Sequence, residues 1–240
     1  MSTAKAIQIK AHGGPEVMEY VDIDLPPPGG GEVRLRHTAI GLNFIDVYMR
    51  TGLYPAKLPA ILGREAAGVV EAVGPEVDAL KTGGRVVYSG LGAACSTERN
   101  AAVSSLIKIP DDVTDEQAAA IFLKGLTAWM LLFEVRPLQP GEQILIWAAA
   151  GGVASVLVPW AKTLGGRVMG VVSSDEKAAA ATELGCEEVV LASDDVAARA
   201  REWSGGRGVA VAYDSVGKTP AQASLNVLRP RGSFVSYGNA

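Results

Sequence analysis

The second half of the chain alternates between short apolar runs and stretches in which apolar residues recur at helical spacing. Runs of the first kind predict buried strands, and stretches of the second kind predict amphipathic helices. The predicted strands are residues 143–148, 167–172, 188–191, 209–213 and 233–236. The predicted helices are residues 153–164, 175–184, 194–203 and 219–228. Such alternation predicts an α/β fold in which helices cover both faces of a doubly wound parallel sheet.

The first half has a different pattern, with glycine- and proline-rich turns between short segments of alternating polarity. Alternation of apolar and polar residues predicts strands that are buried on one face. The predicted strands are residues 6–10, 32–37, 68–73 and 85–88. The first half is therefore predicted to be a small, irregular β domain.

A helical region follows this β domain. Thr114 and Gln117 have the spacing of a capping box, in which each side chain binds the backbone N–H of the other residue. We predict one helix through residues 118–120 and a second from about Gly125 to Phe133. The domain boundary is placed near Lys124, which gives domains at 1–124 and 125–240.

Composition narrows the classes of function. The net charge of −4 and the scattered Lys and Arg residues argue against nucleic acid as the main partner. No uninterrupted apolar run reaches the roughly 18–20 residues of a membrane span, and the N-terminus lacks the pattern of a signal peptide. Two cysteines without a CxxC pattern predict a reduced, cytoplasmic protein. Two histidines, His12 and His37, make a histidine-based metal site or catalytic triad an unfavourable hypothesis.

A glycine-containing turn lies between the first predicted strand and helix of the second half. Gly151, Gly152 and Val153 occupy the place where a dinucleotide-binding fold holds the pyrophosphate on backbone N–H groups. The G-x-G-x-x-G/A template is met at Gly151 and Ala154, while Ala149 stands at its first position. The alternative is an ordinary glycine turn with no ligand.

The end of the second predicted strand bears on the choice of cofactor. Ser173, Ser174 and Lys177 offer hydroxyls and a cation for the 2′-phosphate of NADPH, whereas NAD-binding folds carry an acid here. The alternatives are that Lys177 is a solvated helix residue and that Ser174 is an N-cap. Asp175 would bind the ribose of NADH if the strand ended later than predicted.

Several segments along the chain match one set of motifs. They are residues 12–17 (HGGPEV), 41–46 (GLNFID), 63–68 (GREAAG), 122–128 (FLKGLTA), 148–153 (AAAGGV) with 160–162 (WAK), and 213–217 (YDSVG). Together they resemble the zinc-free quinone oxidoreductases, the zeta-crystallin-like branch of the medium-chain dehydrogenase/reductase superfamily. The resemblance extends over essentially all 240 residues.

The resemblance implies a GroES-like β domain followed by an NADP-binding Rossmann domain. It also implies an activity, the transfer of a hydride from NADPH to a quinone. Zinc-dependent relatives have Cys where this chain has Asn43 and His where it has Arg64. Neither replacement is an ordinary zinc ligand, so no metal is expected.

The resemblance further implies two groups of site residues. Asn43, Asp46, Tyr48 and Tyr54 are the candidate catalytic residues, with Asn43 also a candidate contact to the nicotinamide. Asp46 has the alternative role of binding a backbone turn, and Tyr48 that of packing. The remaining candidate cofactor contacts implied by the resemblance are Thr127, Val216, Tyr237, Gly238 and Asn239.

Two other functions remain open for this sequence. One is the NADPH-dependent reduction of enones or other activated alkenes, and the other is NADPH binding with little turnover, as in a crystallin role. Relatives continue beyond the fifth strand of the sheet, so we expect a missing C-terminal segment, which puts the homodimer typical of the family in doubt. Pro159, inside a predicted helix, is expected to remove one backbone hydrogen bond.

Overall fold

Two compact units make up the chain, one at Met1–Leu123 and the other at Lys124–Ala240. The computed structural model describes residues 2–239. The first unit is built from antiparallel strands and the second from parallel strands. Each unit has its own apolar core.

The first unit contains two antiparallel sheets. Its strands are β1 (Ser2–Ile9), β2 (Met18–Leu25), β3 (Glu32–Gly41), β4 (Ala60–Ile61), β5 (Glu65–Val73), β6 (Arg85–Ser89), β7 (Glu98–Ala102) and β8 (Ile107–Lys108). The smaller sheet has the order β2-β1-β4, and the larger has the order β7-β3-β5-β6-β8. Residues that are fully buried, such as Val33, Leu35 and Val86, form the core of the larger sheet.

Besides the two-residue strands β4 and β8, three longer elements of the first unit go beyond the sequence prediction. They are β2, β7 and the helix α1 (Phe44–Thr51). Residues 21–25 of β2 (VDIDL) alternate apolar and acidic residues and alternate in burial, so the sequence carried a strand signal here that the prediction missed. α1 ends at Gly52, whose φ of 84° is the left-handed conformation that terminates many helices.

The helix α2 (Asp115–Trp129) corrects the prediction of two separate helical runs. It is continuous through Gly125 and is followed by one π-helical segment, Met130–Val135. A glycine inside a helix costs about 1 kcal/mol relative to alanine, which the remaining helix can offset. The predicted capping box is confirmed, since the backbone N–H of Thr114 donates to Gln117 Oε1 at 3.0 Å and that of Gln117 donates to Thr114 Oγ1 at 3.1 Å.

This helical stretch also bears on the membrane prediction. Taken together, Asp115–Val135 is long and apolar enough to span a membrane by length and composition alone. A single such helix is weak evidence, because helices of soluble proteins pass the same test. The sequence analysis missed this helix as a candidate membrane span, because it counted only uninterrupted apolar runs.

The second unit is a five-stranded parallel sheet with helices between its strands. Its strands are β9 (Gln143–Trp147), β10 (Arg167–Val172), β11 (Glu188–Leu191), β12 (Val209–Asp214) and β13 (Leu228–Ser236). Its helices are α3 (Ala154–Thr163), α4 (Asp175–Leu184), α5 (Val196–Trp203) and α6 (Ala221–Asn226). The strand order is β11-β10-β9-β12-β13, which confirms the predicted α/β class.

The two faces of this sheet belong to different apolar clusters. Ile144 and Ile146 of β9 pack in one cluster, while Leu145 packs in the other. Alternate residues of a strand point to opposite faces, so both faces are buried and the strand is apolar throughout. This burial explains why the sequence of β9 forms a continuous apolar run.

Two details of the second unit differ from expectation. β13 begins at Leu228, which pairs with Val209 before a register shift, so the predicted helix that ended at residue 228 is shorter. α3 continues through Pro159. The carbonyl of Ser155 loses its N–H donor there, but Ser155 is exposed and water can replace that donor.

Candidate functional site

The parallel sheet reverses its strand order between β9 and β12. These two strands are neighbours, and successive strands continue outward from them on either side. Ligands of such sheets bind beyond the carboxyl ends of the strands at this reversal. The loops that follow Trp147 and Asp214 are therefore the candidate cofactor site.

The turn after β9 is held by its own backbone. The N–H of Gly151 donates to the carbonyl oxygen of Ala148 at 2.8 Å, and Ser155 Oγ donates to that of Gly152 at 2.8 Å. Ala148 has a φ of 53°, a conformation that costs a non-glycine residue roughly 1–2 kcal/mol. Strained residues of this kind are concentrated at binding sites, where the surrounding structure fixes them.

α3 begins directly after this turn, and no side chain caps it. Its N-cap residue, Val153, makes no side-chain hydrogen bond. The first N–H groups of a helix have no partner within the helix, so they attract an anion. A Cβ atom on the exposed Gly152 would lie 3.0 Å from Cε of Lys124, so this flexible side chain would have to shift if position 152 carried a side chain.

The predicted 2′-phosphate residues lie together at the end of β10. Lys177 Nζ donates to Ser173 Oγ at 2.9 Å, and both residues are exposed. Ser174 Oγ accepts the backbone N–H of Lys177 at 3.4 Å, so Ser174 is the N-cap of α4. β10 ends at Val172 as predicted, which places Asp175 in the first turn of α4 instead of at the strand end.

The loop after β12 is organised by a buried acid that the sequence analysis did not single out. Asp214 is fully buried, and its Oδ1 accepts the N–H groups of Val216 at 2.7 Å and Gly217 at 2.9 Å. The N–H of Tyr237 donates to the carbonyl oxygen of Asp214 at 2.8 Å. An acid directly after the apolar residues 209–213 was the available signal in the sequence.

The predicted residues Val216, Tyr237, Gly238 and Asn239 all lie around this loop. A Cβ atom on Gly238 would lie 2.6 Å from the carbonyl oxygen of Ser215, and one on Gly217 would lie 3.2 Å from Asn239 Oδ1. Burial raises the pKa of Tyr237 to about 12, so its hydroxyl keeps its proton at neutral pH. Glycines are required here because the two backbone segments approach each other closely.

In the first unit, the register of β3 and β5 brings Asn43 to Glu65. Gly41, the last residue of β3, pairs with Glu65, the first residue of β5. Asn43 lies two residues further on, and its Nδ2 donates to Glu65 Oε2 at 2.7 Å. Glu65 is fully buried and Asn43 is half-buried, so the Asn43 amide binds a carboxyl group that solvent does not reach.

Asp46 binds the backbone at the start of α1. Its Oδ2 accepts the N–H of Asn43 at 3.0 Å, which is the turn-binding role that the sequence left open. Burial raises the pKa of Asp46, and the positive charge of Arg64 opposes that shift. Among the described residues, Asp46 Oδ1 has no hydrogen-bond partner. A buried carboxyl group of this kind holds a proton to a higher pH than an exposed one.

Aromatic side chains cover the same helix. The ring centroids of Tyr48 and Tyr54 are 5.1 Å apart, and those of Tyr48 and Phe44 are 5.6 Å apart. Tyr48 is buried and Tyr54 is half-buried, whereas Phe44 is exposed. The structure therefore places Asn43 at the N-cap of α1, Asp46 and Tyr48 on α1, and Tyr54 in the loop after it. Thr127 lies apart from them in the chain, in α2.

The two positions at which zinc-dependent relatives have ligands make other contacts. Asn43 binds Glu65, and Arg64 Nη2 donates to the carbonyl oxygen of Gly90 at 2.8 Å. Within residues 2–239, no group of three His, Cys, Asp or Glu side chains has the arrangement of a metal site. Burial raises the pKa of both thiols, Cys95 and Cys186, to about 11.

Both halves of the chain match known protein families. Residues 29–115 match the family described as an alcohol dehydrogenase GroES-like domain, and residues 152–240 match the family described as a zinc-binding dehydrogenase. These matches confirm the predicted combination of a GroES-like β domain with a Rossmann sheet.

The chain is also similar to individual proteins in sequence and in structure. A quinone oxidoreductase of Pseudomonas aeruginosa is 50% identical over 240 residues, which cover 99% of this chain and 74% of that protein. A 2-haloacrylate reductase of a Burkholderia species is 45% identical, over 98% of this chain and 73% of that protein. The crystal structure of an Escherichia coli quinone oxidoreductase complexed with NADPH has a TM-score of 0.93 at 42% identity and covers 99% of this chain and 73% of that one.

Proposed function

Because the chain belongs to the quinone oxidoreductases of the medium-chain dehydrogenase/reductase superfamily, we propose that it transfers a hydride from NADPH to a quinone. The observation that carries this proposal is the turn after β9, where exposed Gly152 precedes the uncapped α3. The NADPH complex of the Escherichia coli relative supports the same cofactor here.

The residues of the second unit fit NADPH. Gly151, Gly152 and Val153 would hold the pyrophosphate on backbone N–H groups at the start of α3. Ser173 and Lys177 would hold the 2′-phosphate, since a cation and a hydroxyl already lie 2.9 Å apart at the end of β10. Val216, Tyr237, Gly238, Asn239 and Thr127 are proposed to line the nicotinamide end. When bound, NADPH supplies the hydride.

In the first unit, we assign binding of the reacting carbonyl to Asn43. One N–H of its side chain is bound to Glu65, and the other points to Gly41 O at 3.5 Å, a distance too long for a strong hydrogen bond. That second N–H can donate to a quinone oxygen. Reduction of a quinone to a hydroquinone consumes one proton besides the hydride, and Asp46 is the proposed group that holds it. The half-buried Tyr54 would provide a flat surface for the ring, and the buried Tyr48, which packs against it, would hold it in place.

A second candidate function is the reduction of alkenes activated by a carbonyl or carboxyl group. The observation that favours it is the 45% identity to a 2-haloacrylate reductase. Both reactions place an electrophilic carbon beside the hydride donor and an oxygen beside a hydrogen-bond donor. The two activities therefore draw on the same residues.

A cytoplasmic location is also proposed. Whether the chain forms the homodimer typical of its family stays a prediction.

The test is NADPH oxidation by the purified chain with a simple quinone and, in parallel, with 2-chloroacrylate. We expect turnover with NADPH and much less with NADH. Lys177→Ala should weaken NADPH binding roughly tenfold, because a hydrogen bond to a charged group contributes about 1.5–3 kcal/mol, and should leave NADH binding unchanged. Lys81→Ala, an exposed lysine of the first unit, is the matched control. Absence of turnover with either acceptor would refute the proposed function.

A further inference from the structure

We propose that Glu65 is a positioning residue that fixes the side chain of Asn43 for the substrate. This inference rests on the proposed function, since it assumes that Asn43 binds the reacting oxygen. It concerns contacts within the first unit only. The observation behind it is a fully buried carboxylate placed directly behind a half-buried amide.

Both oxygens of Glu65 are engaged by specific donors. Oε2 accepts Asn43 Nδ2 at 2.7 Å, and Oε1 accepts the backbone N–H of Leu123 at 2.5 Å. A buried carboxylate is costly unless its oxygens are hydrogen-bonded, so these contacts are required wherever it stays ionised. The Leu123 contact ties the carboxylate to α2, which holds it in place when Asn43 is removed.

The contact selects one orientation of the Asn43 amide. The capping box at the start of α1 requires the same orientation, in which the Asn43 side chain accepts the backbone N–H of Asp46. An ionised carboxylate only accepts hydrogen bonds, so the nitrogen of Asn43, and not its oxygen, faces Glu65. The flipped orientation would put two acceptor oxygens against each other. The second N–H is then directed away from Glu65, towards the carbonyl oxygen of Gly41 at 3.5 Å, a contact weak enough for a ligand oxygen to replace.

The carboxylate also changes the strength of that donor. Hydrogen bonds in a chain polarise one another, and the effect is larger where water is excluded. The carboxyl group behind one N–H fixes the amide, while its second N–H makes only the long contact to the carbonyl oxygen of Gly41. Asn43 is thereby preorganised for a carbonyl oxygen, without a reorientation when the substrate arrives.

The backbone leaves just enough room for this arrangement. A Cβ atom on Gly41 would lie 2.3 Å from Glu65 Oε2 and 2.4 Å from the carbonyl oxygen of Ala119. Any side chain at position 41 would displace the carboxylate from Asn43. The position of Glu65 thus depends on a glycine at the strand end with which it pairs.

The experiment is a double-mutant cycle with Asn43→Ala, Glu65→Gln and the double variant, assayed as kcat/KM for a simple quinone. We expect Glu65→Gln to lower kcat/KM roughly tenfold or more, because it replaces a charge-assisted hydrogen bond. In the Asn43→Ala background, the same change should lower it less than about twofold, because nothing remains to be positioned. Glu98→Gln is the control, since Glu98 is a partly buried carboxylate paired with Arg34 in the same unit.

The side-chain amide signal of Asn43 in the ligand-free protein gives a readout independent of activity. The signal is identified in a ¹⁵N NMR spectrum by its loss in Asn43→Ala. We expect Glu65→Gln to shift it and to increase its mobility, while Glu98→Gln leaves it unchanged. Should Glu65→Gln fail to fold, Glu65→Asp, which retracts the carboxylate by one methylene, replaces it in both measurements.

The other possible results of these two experiments decide whether Glu65 positions Asn43. An unchanged Asn43 signal in the Glu65 variant overturns the positioning role. An equal loss of kcat/KM in both backgrounds also overturns it, because Glu65 would then act through the fold. If the wild type reduces no acceptor, the proposed function has failed. The affinity for the quinone, measured by NMR titration over the same cycle, then decides whether Glu65 acts through Asn43.

Discussion

The two candidate binding regions are built from different parts of the chain. In the second unit, the turn after β9 presents backbone N–H groups, and the requirement on its residues is that they be small. In the first unit, Asn43 is a side-chain donor held by the buried carboxyl group of Glu65. A site made of backbone N–H groups tolerates a more polar or less polar side chain nearby, but not a larger one. The site around Asn43 tolerates neither a change in the polarity of its side chains nor a change in their size.

The largest expected effect comes from adding volume to the backbone site. Gly152→Val should weaken NADPH binding by roughly ten- to a hundredfold, because the side chain blocks contacts to a charged phosphate worth about 1.5–3 kcal/mol each. The measurement is NADPH titration by fluorescence. Gly30→Val, in an exposed turn of the other unit, is the control and should bind normally. Equal affinities of all three proteins would mean that the pyrophosphate does not lie on this turn.

A smaller change of volume should damage the side-chain site. Gly41→Ala is expected to lower the free energy of unfolding by about 1–3 kcal/mol, a typical cost of overpacking, and to reduce quinone turnover. Denaturant unfolding and kcat/KM measure the two effects. Gly30→Ala serves as the control, because a Cβ atom there would meet no atom closer than 3.6 Å. Wild-type behaviour of Gly41→Ala would show that the backbone can move away from Glu65.

The third prediction concerns a buried histidine of the first unit. His37 Nδ1 lies 2.6 Å from the carbonyl oxygen of Ser96, so it is the donor, and Nε2 accepts the hydroxyl of Tyr88 at 2.9 Å. This arrangement fits the neutral ring. Burial lowers the pKa of His37 from 6.5 to about 4, with a smaller contribution from Arg99.

Because the unfolded chain binds this proton more readily, the first unit should lose stability as the pH falls from 6.5 towards 4. The loss from His37 is at most about 1.4 kcal/mol per pH unit and is absent above pH 6.5. Denaturant unfolding at several pH values measures the slope. His37→Gln should reduce that slope, and an unchanged slope in the variant would assign the acid sensitivity to other groups.

Much of the fold could be predicted because its pattern is local. The bounds of β10 and α4 agree with the predicted residues, since both are set by apolar periodicity and an N-cap serine. α1 was missed because its eight residues are too few to establish a helical period. Gly125 suggested a break in α2 because glycine by itself disfavours a helix. The helix is nevertheless continuous, because the residues on either side of Gly125 favour it.

The candidate site was predictable only in part for a similar reason. The motifs indicated Asn43 and the turn at Gly151, but the contact between Asn43 and Glu65 depends on the pairing of β3 with β5. Strand register is a property of two segments, so no single stretch of sequence contains it. Asp214 was overlooked because an acid next to an apolar strand is ordinary, and only its burial reveals that it binds two N–H groups.

The two cysteines have a consequence for the chemical durability of the protein. Quinones and activated alkenes alkylate proteins by adding to thiolates, so an enzyme that turns them over is exposed to damage by its own substrates. With a thiol pKa of about 11, Cys95 and Cys186 are almost entirely protonated at neutral pH. The thiol form is a poor nucleophile. The protein thus keeps both of its thiols in an unreactive state while it handles electrophiles.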